Sequence, residues 1–243
     1  MRENQAIALQ GATCTLVPYR KAHVPRYHAW MNDPQLGLCE LTASEPLSLD
    51  AEYAMQQTWA EDADKCTFIL HAHNAQPATL AGAAGQPDAP TPFRQYGGKS
   101  MAMVGDVNLF LRDEPLCNED GDPTGVTVRV AELEIMIAEP DARRRGIGRE
   151  AVCLMLGYGA DQLGLRRFEA KIAVANAASI ALFASLGFRE VSRSAIFEEV
   201  TLRIVLPGDP EAAAAMEVGH DLWRRQLKQD VKLIHLDASN SEA

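Results

Sequence analysis

"EPDARRRGIGREAV", residues 139–152, sets three consecutive arginines and two spaced glycines at the start of a helical pattern, in a chain whose formal net charge is −10. Upstream, 126–138 (VTVRVAELEIMIA) is dense in β-branched and aliphatic residues and reads as a strand. Downstream, 145–164 changes to helical spacing, with Ile147, Ala151, Leu154, Met155 and Tyr158 on one side. The turn between them must be tight. Gly146 and Gly148 permit close backbone approach and positive φ. The first N–H groups of a helix have no internal partners, and with the helix dipole they form an anion site. Arg143, Arg144, Arg145 and Arg149 add charge suited to phosphate oxygens. The physical reading is a pyrophosphate cradle. The Walker pattern fails because no Gly-Lys-Ser/Thr follows, and the dinucleotide GxGxxG pattern fails because this turn sits late in the chain and lacks the acidic residue at the end of the next strand. The residues alone also allow an arginine-rich turn with a purely structural glycine start.

Outward from this turn the chain alternates strands and helices. Strands are expected at 13–18, 65–71, 100–112 and 166–174, with an antiparallel closing pair after residue 187. Helices are expected at 21–33 with Pro25 in the first turn, at 48–62 capped by Ser48, and at 176–187 between an Asn176 cap and a Gly187 stop. Residues 72–100 are rich in Ala, Gly and Pro without apolar periodicity and read as a flexible insertion. Residues 113–125 read as a polar, turn-rich loop whose "DGD" lacks the ligand spacing of a calcium loop. Residues 211–236 read as one more helix. The division expected is a domain over 1–206 and a C-terminal helical extension and tail over 207–243. Trp30, Tyr53 and Trp59 fall in the two N-terminal helices and read as core or groove wall.

Composition narrows the class. A chain of 243 residues, 47% hydrophobic, can bury a large core. With 33 acidic against 23 basic residues it lacks the excess positive charge of a nucleic-acid binder. No run approaches the ~18 apolar residues of a membrane span, and no apolar leader is expected. The five cysteines are scattered, odd in number and never spaced as CxxC, which reads as reduced thiols in a cytoplasmic protein and gives no metal site.

"RRRGIG" fits the pattern Arg/Gln-x-x-Gly-x-Gly/Ala and resembles the acetyl-coenzyme A signature of the GNAT superfamily of N-acetyltransferases. The companion stretch "FEAKIAV…NAASIALFASLGF" stands in that family's order and spacing. More narrowly, "VPYRKAHVPRYHAWM", "MVGDVNLFL", "EIMIAEP" and "FEEVTLR" are similar to the eukaryotic N-acetyltransferase 9-like group, over about 1–71 and 101–206. The resemblance implies an α/β GNAT fold: a mixed, mostly antiparallel central sheet with a splayed strand pair and flanking helices. It implies acetyl-CoA as cosubstrate and a protein N-terminal α-amine as acceptor, with tubulin chains the named candidates. Two rivals are a non-catalytic acyl-CoA-binding or microtubule-associated scaffold and a small-amine acetyltransferase.

The resemblance further places the thioester carbonyl on backbone donors of Met136, Ile137 and Ala138. It places the pyrophosphate on the backbone from Arg144 through Gly146, Ile147 and Gly148 to Arg149, and the pantetheine arm near Asn176. Glu132 matches the general base of the histone-type branch. Glu134 lies on the same strand face by period two, and two carboxylates so placed raise one another's pKa. Phe183 stands at the cofactor side where the family often places a tyrosine acid, and it cannot donate a proton. Lys171 stands where another branch has a glutamate base, and a structural pair with Glu169 is the expectation there. An α-amine has a pKa about 2–3 units below a lysine side chain, about 3–4 kcal/mol less to deprotonate. A diffuse base without a tyrosine acid therefore suits N-terminal acceptors.

Overall fold

The computed structural model describes residues 2–38, 45–73, 93–96, 99–118, 120–210 and 232–236. The chain divides into two compact units: one comprises Met1–Val107, Ile135–Ala151 and Asp230–Ala243, the other Asn108–Glu134 and Val152–Gln229.

The first unit carries β1 (Ile7–Gln10), β2 (Cys14–Pro18), α1 (Val24–Met31), α2 (Leu49–Glu61), β3 (Lys65–His73) and β4 (Phe93–Tyr96). It also holds the first part of β5 (Lys99–Cys117), the end of β6 (Pro123–Ile137) and the start of α3 (Ile147–Asp161). Pro25 sits in the first turn of α1, where its missing N–H costs nothing. The Ser48 side chain caps α2 by accepting from the Ala51 N–H, and Asp50 and Glu52 add favourable negative charge to that first turn. Strands run in the order β10-β1-β2-β3-β5, where β10 is Lys232–His235 and β4 pairs with β5. Ala8, Val17, Tyr19, Tyr27, Trp30, Ile69, Met103 and Met136 share one apolar core.

The second unit takes the rest of β5, β6 and α3, together with β7 (Arg167–Ala173), α4 (Ala177–Ser185), β8 (Arg189–Ser194) and β9 (Glu199–Val205). Its strand order is β5-β6-β7-β9-β8. The β6/β7 pair is parallel, whereas β7/β9 and β8/β9 are antiparallel. The parallel ladder joins Val130 to Arg167, Ala131 to Phe168 and Glu132 to Glu169. It ends there although β6 continues to Ile137 and β7 to Ala173, so the two strands part. The buried Arg167 guanidinium is matched by Asp209, with Nη2 2.8 Å from Oδ1. That pairing lets a cation sit in the interior.

Three expectations need correction. Residues 113–125 are not a loop: β5 reaches Cys117 and β6 begins at Pro123, leaving a short turn. Asn118 organises that turn by accepting from the N–H groups of Asp120 and Asp122 through Oδ1, an Asx arrangement that needs no cation. The helix expected over 211–236 is overturned at its end, where Lys232–His235 pairs antiparallel with β1. Residues 211–231 lie outside the described residues. The edge of β1, a strand not anticipated, offers unpaired backbone groups that this segment satisfies. The supposed insertion yields its ends to strands, since Ala72 and His73 continue β3 and Phe93–Tyr96 forms β4; residues 74–92 and 97–98 lie outside the described residues.

Candidate active site

The arginine turn forms in the first unit as a concave run of backbone donors. Pro140–Ala142 makes a single 3-10 turn after β6. Arg144 then adopts φ +58° and Gly146 φ +80°, so left-handed residues interrupt the backbone twice before α3 begins. Such alternation turns successive N–H groups inward to make an anion-binding nest. Among the described residues, the N–H groups of Arg144, Arg145, Gly146, Ile147 and Gly148 have no acceptor. Ile147 is buried and anchors the helix start. The side chains divide. Arg144 and Arg145 are exposed and Arg149 is half-buried. Arg143 instead folds back on β6, its Nε 2.9 Å from the Ile137 carbonyl and Nη2 3.3 Å from that of Ala138. Arg143 therefore ties the turn to the strand and is corrected from phosphate ligand to brace.

Two acids missed by sequence reasoning hold this turn in place. Glu150, in the first turn of α3, accepts from the N–H groups of Ala12, Thr13 and Cys14 at 2.7, 2.8 and 2.9 Å, and from the Thr13 hydroxyl at 2.6 Å. Burial opposes its charge, but the hydrogen bonds from Thr13, Ala12 and Cys14 outweigh it and hold its pKa below the usual range. Glu139 accepts from Trp30 Nε1 at 2.7 Å and from Arg26. Nothing local announces either role, because the partners lie 109 to 138 residues away in sequence. Glu150→Ala is expected to cost about 2–4 kcal/mol by stranding donors beside the β1–β2 turn, read by urea denaturation. A carboxylate with a depressed folded pKa stabilises above its unfolded value, about 4.3. The stability difference between wild type and variant should therefore close as pH falls below that value.

At the end of β6 the strand bulges. Ala138 and Glu139 both donate to the Val104 carbonyl, at 2.9 and 3.2 Å, the two-against-one pattern of a β-bulge. Opposite it stands Gly105, where a Cβ would lie 1.9 Å from the Met136 carbonyl oxygen. Of the three expected backbone donors, Ala138 is thus already engaged and is corrected. Strand alternation turns the Ile137 N–H to the edge away from β5. Met136 contributes a buried side chain to the core of the first unit.

The carboxylates of β6 belong to the second unit and are not equivalent. Glu132 Oε2 lies 2.6 Å from Lys171 Nζ and forms an ion pair with it. The expected pair between Lys171 and Glu169 does not form. Glu169 is buried and accepts from Arg112 Nη2 and Arg203 Nε, each at 2.6 Å. Two planar guanidiniums satisfy a buried carboxylate more completely than one exposed ammonium. Glu134 keeps an exposed surface, yet its pKa is pushed up to about 6, first by lost solvation, then by the Glu132 charge, against the pull of Lys171. Open area with a desolvated head fits a carboxylate recessed in a concave surface. Asn176 caps α4, its Oδ1 accepting from the Ser179 N–H at 3.1 Å. Among the described residues its Nδ2 has no partner, so one face of the amide remains available. Phe183 is 2% exposed and packs edge-on to Phe188 at 5.0 Å, so it is a core residue rather than a cofactor contact.

A helix-start anion nest suits a phosphate-bearing ligand, and carboxylates on a strand that parts from its neighbour suit proton transfer. The acetyltransferase (GNAT) domain family matches residues 14–189, and the chain belongs to that family and is an acyltransferase. Its relatives include the alpha/beta-tubulin-N-acetyltransferase 9 of Homo sapiens, 48% identical over 208 residues that span 85% of this chain and 86% of that protein. The protein of the same name from Drosophila melanogaster is 46% identical over 204 residues, covering 83% and 88% of the two chains. The fold is also that of the spermidine N-acetyltransferase of Vibrio cholerae solved with CoA and spermine, with TM-score 0.56 at 18% identity, covering 80% of this chain and 96% of that one. Among the described residues no helix is long and apolar enough to cross a membrane, and no group of three or more His, Cys, Asp or Glu is placed to hold a metal.

Proposed function

We propose that the chain transfers the acetyl group of acetyl-CoA to the α-amine of a protein N-terminus, in the cytoplasm, with tubulin the first acceptor to try. The observation that carries the donor half is the run of unsatisfied N–H groups from Arg144 to Gly148, bent by the positive φ of Arg144 and Gly146. It suits a diphosphate, with Arg144, Arg145 and Arg149 adding charge. Asn176 Nδ2 is a donor for an amide-bearing arm. The donor substrate supplies an activated acyl carbon. The amine nitrogen forms the new C–N bond, the C–S bond breaks, and the thiolate leaves without needing a tyrosine acid. Glu134 takes the ammonium proton directly or through water, and its pKa of about 6 keeps it ionised yet basic at neutral pH. The Ile137 N–H is the backbone candidate for the developing oxyanion. The names of the human and fly relatives support tubulin as the acceptor to test.

The test is calorimetry with coenzyme A, followed by thiol release from acetyl-CoA with tubulin, N-terminal peptides, lysine peptides and spermidine. Turnover is expected with free α-amines and not with ε-amines. Gly146→Val places a branched side chain at φ +80°, a conformation L-residues rarely adopt. It is expected to weaken coenzyme A binding by about 10-fold or more. Absence of binding heat for the wild type, or intact affinity in Gly146→Val, overturns the donor half. Binding without turnover of any amine indicates a scaffold.

A further inference from the structure

Glu150 stands in the first turn of α3, just past the nest. Four donors from the turn that joins β1 to β2 fill its carboxylate: the N–H groups of Ala12, Thr13 and Cys14 and the Thr13 hydroxyl. A carboxylate offers about four acceptor sites, so these bonds occupy it. Gly11 makes room for the contact. A Cβ there would lie 2.6 Å from Glu150 Cδ and 2.8 and 2.9 Å from its oxygens. Gly11 lies outside the left-handed region, so an added methyl would disturb the carboxylate and not the backbone. The far side of the same turn is fixed by β3. The His73 N–H donates to the Thr13 carbonyl at 2.8 Å, and His73 Nδ1 donates to that of Ala12 at 3.0 Å. The strand that leads into the turn leans on the C-terminus. β1 matches β2 at two positions, Leu9 with Leu16 and Gln10 with Thr15. β10 matches β1 at four, from Ile7 with His235 to Gln10 with Lys232, and the Leu236 N–H adds a bond to the Ala6 carbonyl at 2.8 Å. The Gln10–Lys232 pair stands next to Gly11.

We propose that the Gly11–Cys14 turn is a positioning element of the anion nest, acting through Glu150 and steadied by β10. The first amides of a helix have no intrahelical acceptor, so contacts from outside must hold the helix start. Donors bind an anion best when they are fixed beforehand. Charge points the same way. An acid in the first turn competes with a phosphate for the positive end of the helix dipole, and the β1–β2 turn keeps this carboxylate occupied elsewhere. The inference deepens the donor half of the proposed acetyl transfer and rests on that reading for the ligand's identity.

The experiment reads coenzyme A binding by calorimetry and hydrogen exchange of the amides from Glu150 to Leu154, both on the full chain. Gly11→Ala keeps Glu150 but displaces its carboxylate. It should weaken coenzyme A binding about tenfold and speed exchange in that stretch, where the Glu150 N–H is bonded to the Gly146 carbonyl. In turnover it should raise the acetyl-CoA KM and leave the amine KM alone. Ile234→Pro, which interrupts β10, should weaken binding about threefold. Val24→Ala opens a cavity at a fully buried site of the same unit and is the control. It should lower Tm and leave coenzyme A affinity unchanged, and a turn with a merely structural role would make Gly11→Ala behave the same way. Glu150→Gln supplies a sign. It removes the charge and sets an amide against an N–H donor, so lost positioning weakens binding about threefold, whereas an acid that only repels phosphate gives tighter binding. Wild-type affinity in a folded Gly11→Ala, or a gain of affinity in Glu150→Gln, overturns the proposal. Should Gly11→Ala fail to fold, Glu150→Gln and Thr13→Val decide, since the latter removes only the hydroxyl donor. If wild type gives no heat with coenzyme A, the donor reading falls by itself. Exchange then decides the turn separately, and unchanged exchange over Glu150–Leu154 in the variants overturns its hold on α3.

Discussion

Glu134→Gln should lower kcat/KM for the amine by about 10²–10⁴-fold while leaving coenzyme A affinity unchanged, the range for loss of a positioned general base. The pH profile makes the assignment specific. A carboxylate accepts a proton only when ionised, so the acidic limb should rise through about pH 6, where the structure places Glu134. The Glu132 charge raises that value and Lys171 lowers it, so the two neighbours give opposite signs. Glu132→Gln removes the raising charge and frees Lys171 to face Glu134; both changes move the limb to lower pH. Lys171→Met removes the lowering charge and leaves Glu132 unneutralised; both changes move it to higher pH. A base at Glu132 would behave otherwise: Glu132→Gln would then abolish the acidic limb together with activity, and Glu134→Gln would be mild. Rate profiles of the three variants with one N-terminal peptide decide between the two carboxylates. The acceptor amine adds its own limb near pH 7.7–8.0, and since that group is on the substrate, none of the three substitutions shifts it.

The residues adjacent in sequence were readable because their physics is local. Ser48 and Asn176 cap their helices as their residue types require. Helix α3 starts at Ile147, as the change of apolar period at the arginine turn indicates. Gly146 adopts the positive φ that a tight strand-to-helix turn needs. What failed depended on partners far along the chain. Lys171 and Glu169 are two residues apart on one strand face, which suggested a pair. The parallel register instead sets Glu132 beside Glu169, while Lys171 reaches Glu132, 39 residues away. Arg112 and Arg203 claim Glu169 from elements the pattern could not align. Arg143 looked like a phosphate ligand because its charge was visible and its geometry was not. Residues 113–125 misled for a different reason. A hairpin exposed along much of its length carries polar residues throughout and loses the alternation that marks a half-buried strand.

Gly105→Ala should be the most damaging glycine-to-alanine change among the described residues. The added Cβ would sit 1.9 Å from the Met136 carbonyl oxygen and 2.9 Å from its carbon. Both are backbone atoms, so no rotamer relieves the overlap and β5 and β6 must separate. The cost expected is about 3–5 kcal/mol, the upper range for overpacking, seen as a fall in Tm and in the denaturant midpoint. The bulge at Ala138 and Glu139 depends on the same approach, since both N–H groups converge on the Val104 carbonyl next to Gly105. Parting the strands redirects the Ile137 amide and moves the arginine turn, which Arg143 ties to the Ile137 carbonyl. Any variant protein that does fold should therefore lose turnover by more than its unfolded fraction explains. Gly146→Val is the control that separates the two uses of glycine. Nothing lies within 4 Å of a Cβ at Gly146, so that substitution suffers only backbone strain, about 1–2 kcal/mol, and its main effect falls on ligand affinity. A Gly105→Ala protein as stable as wild type would mean that the bulge is not rigid. The oxyanion role given to the Ile137 amide would then lose its physical basis, since a donor that shifts at no cost is not preorganised.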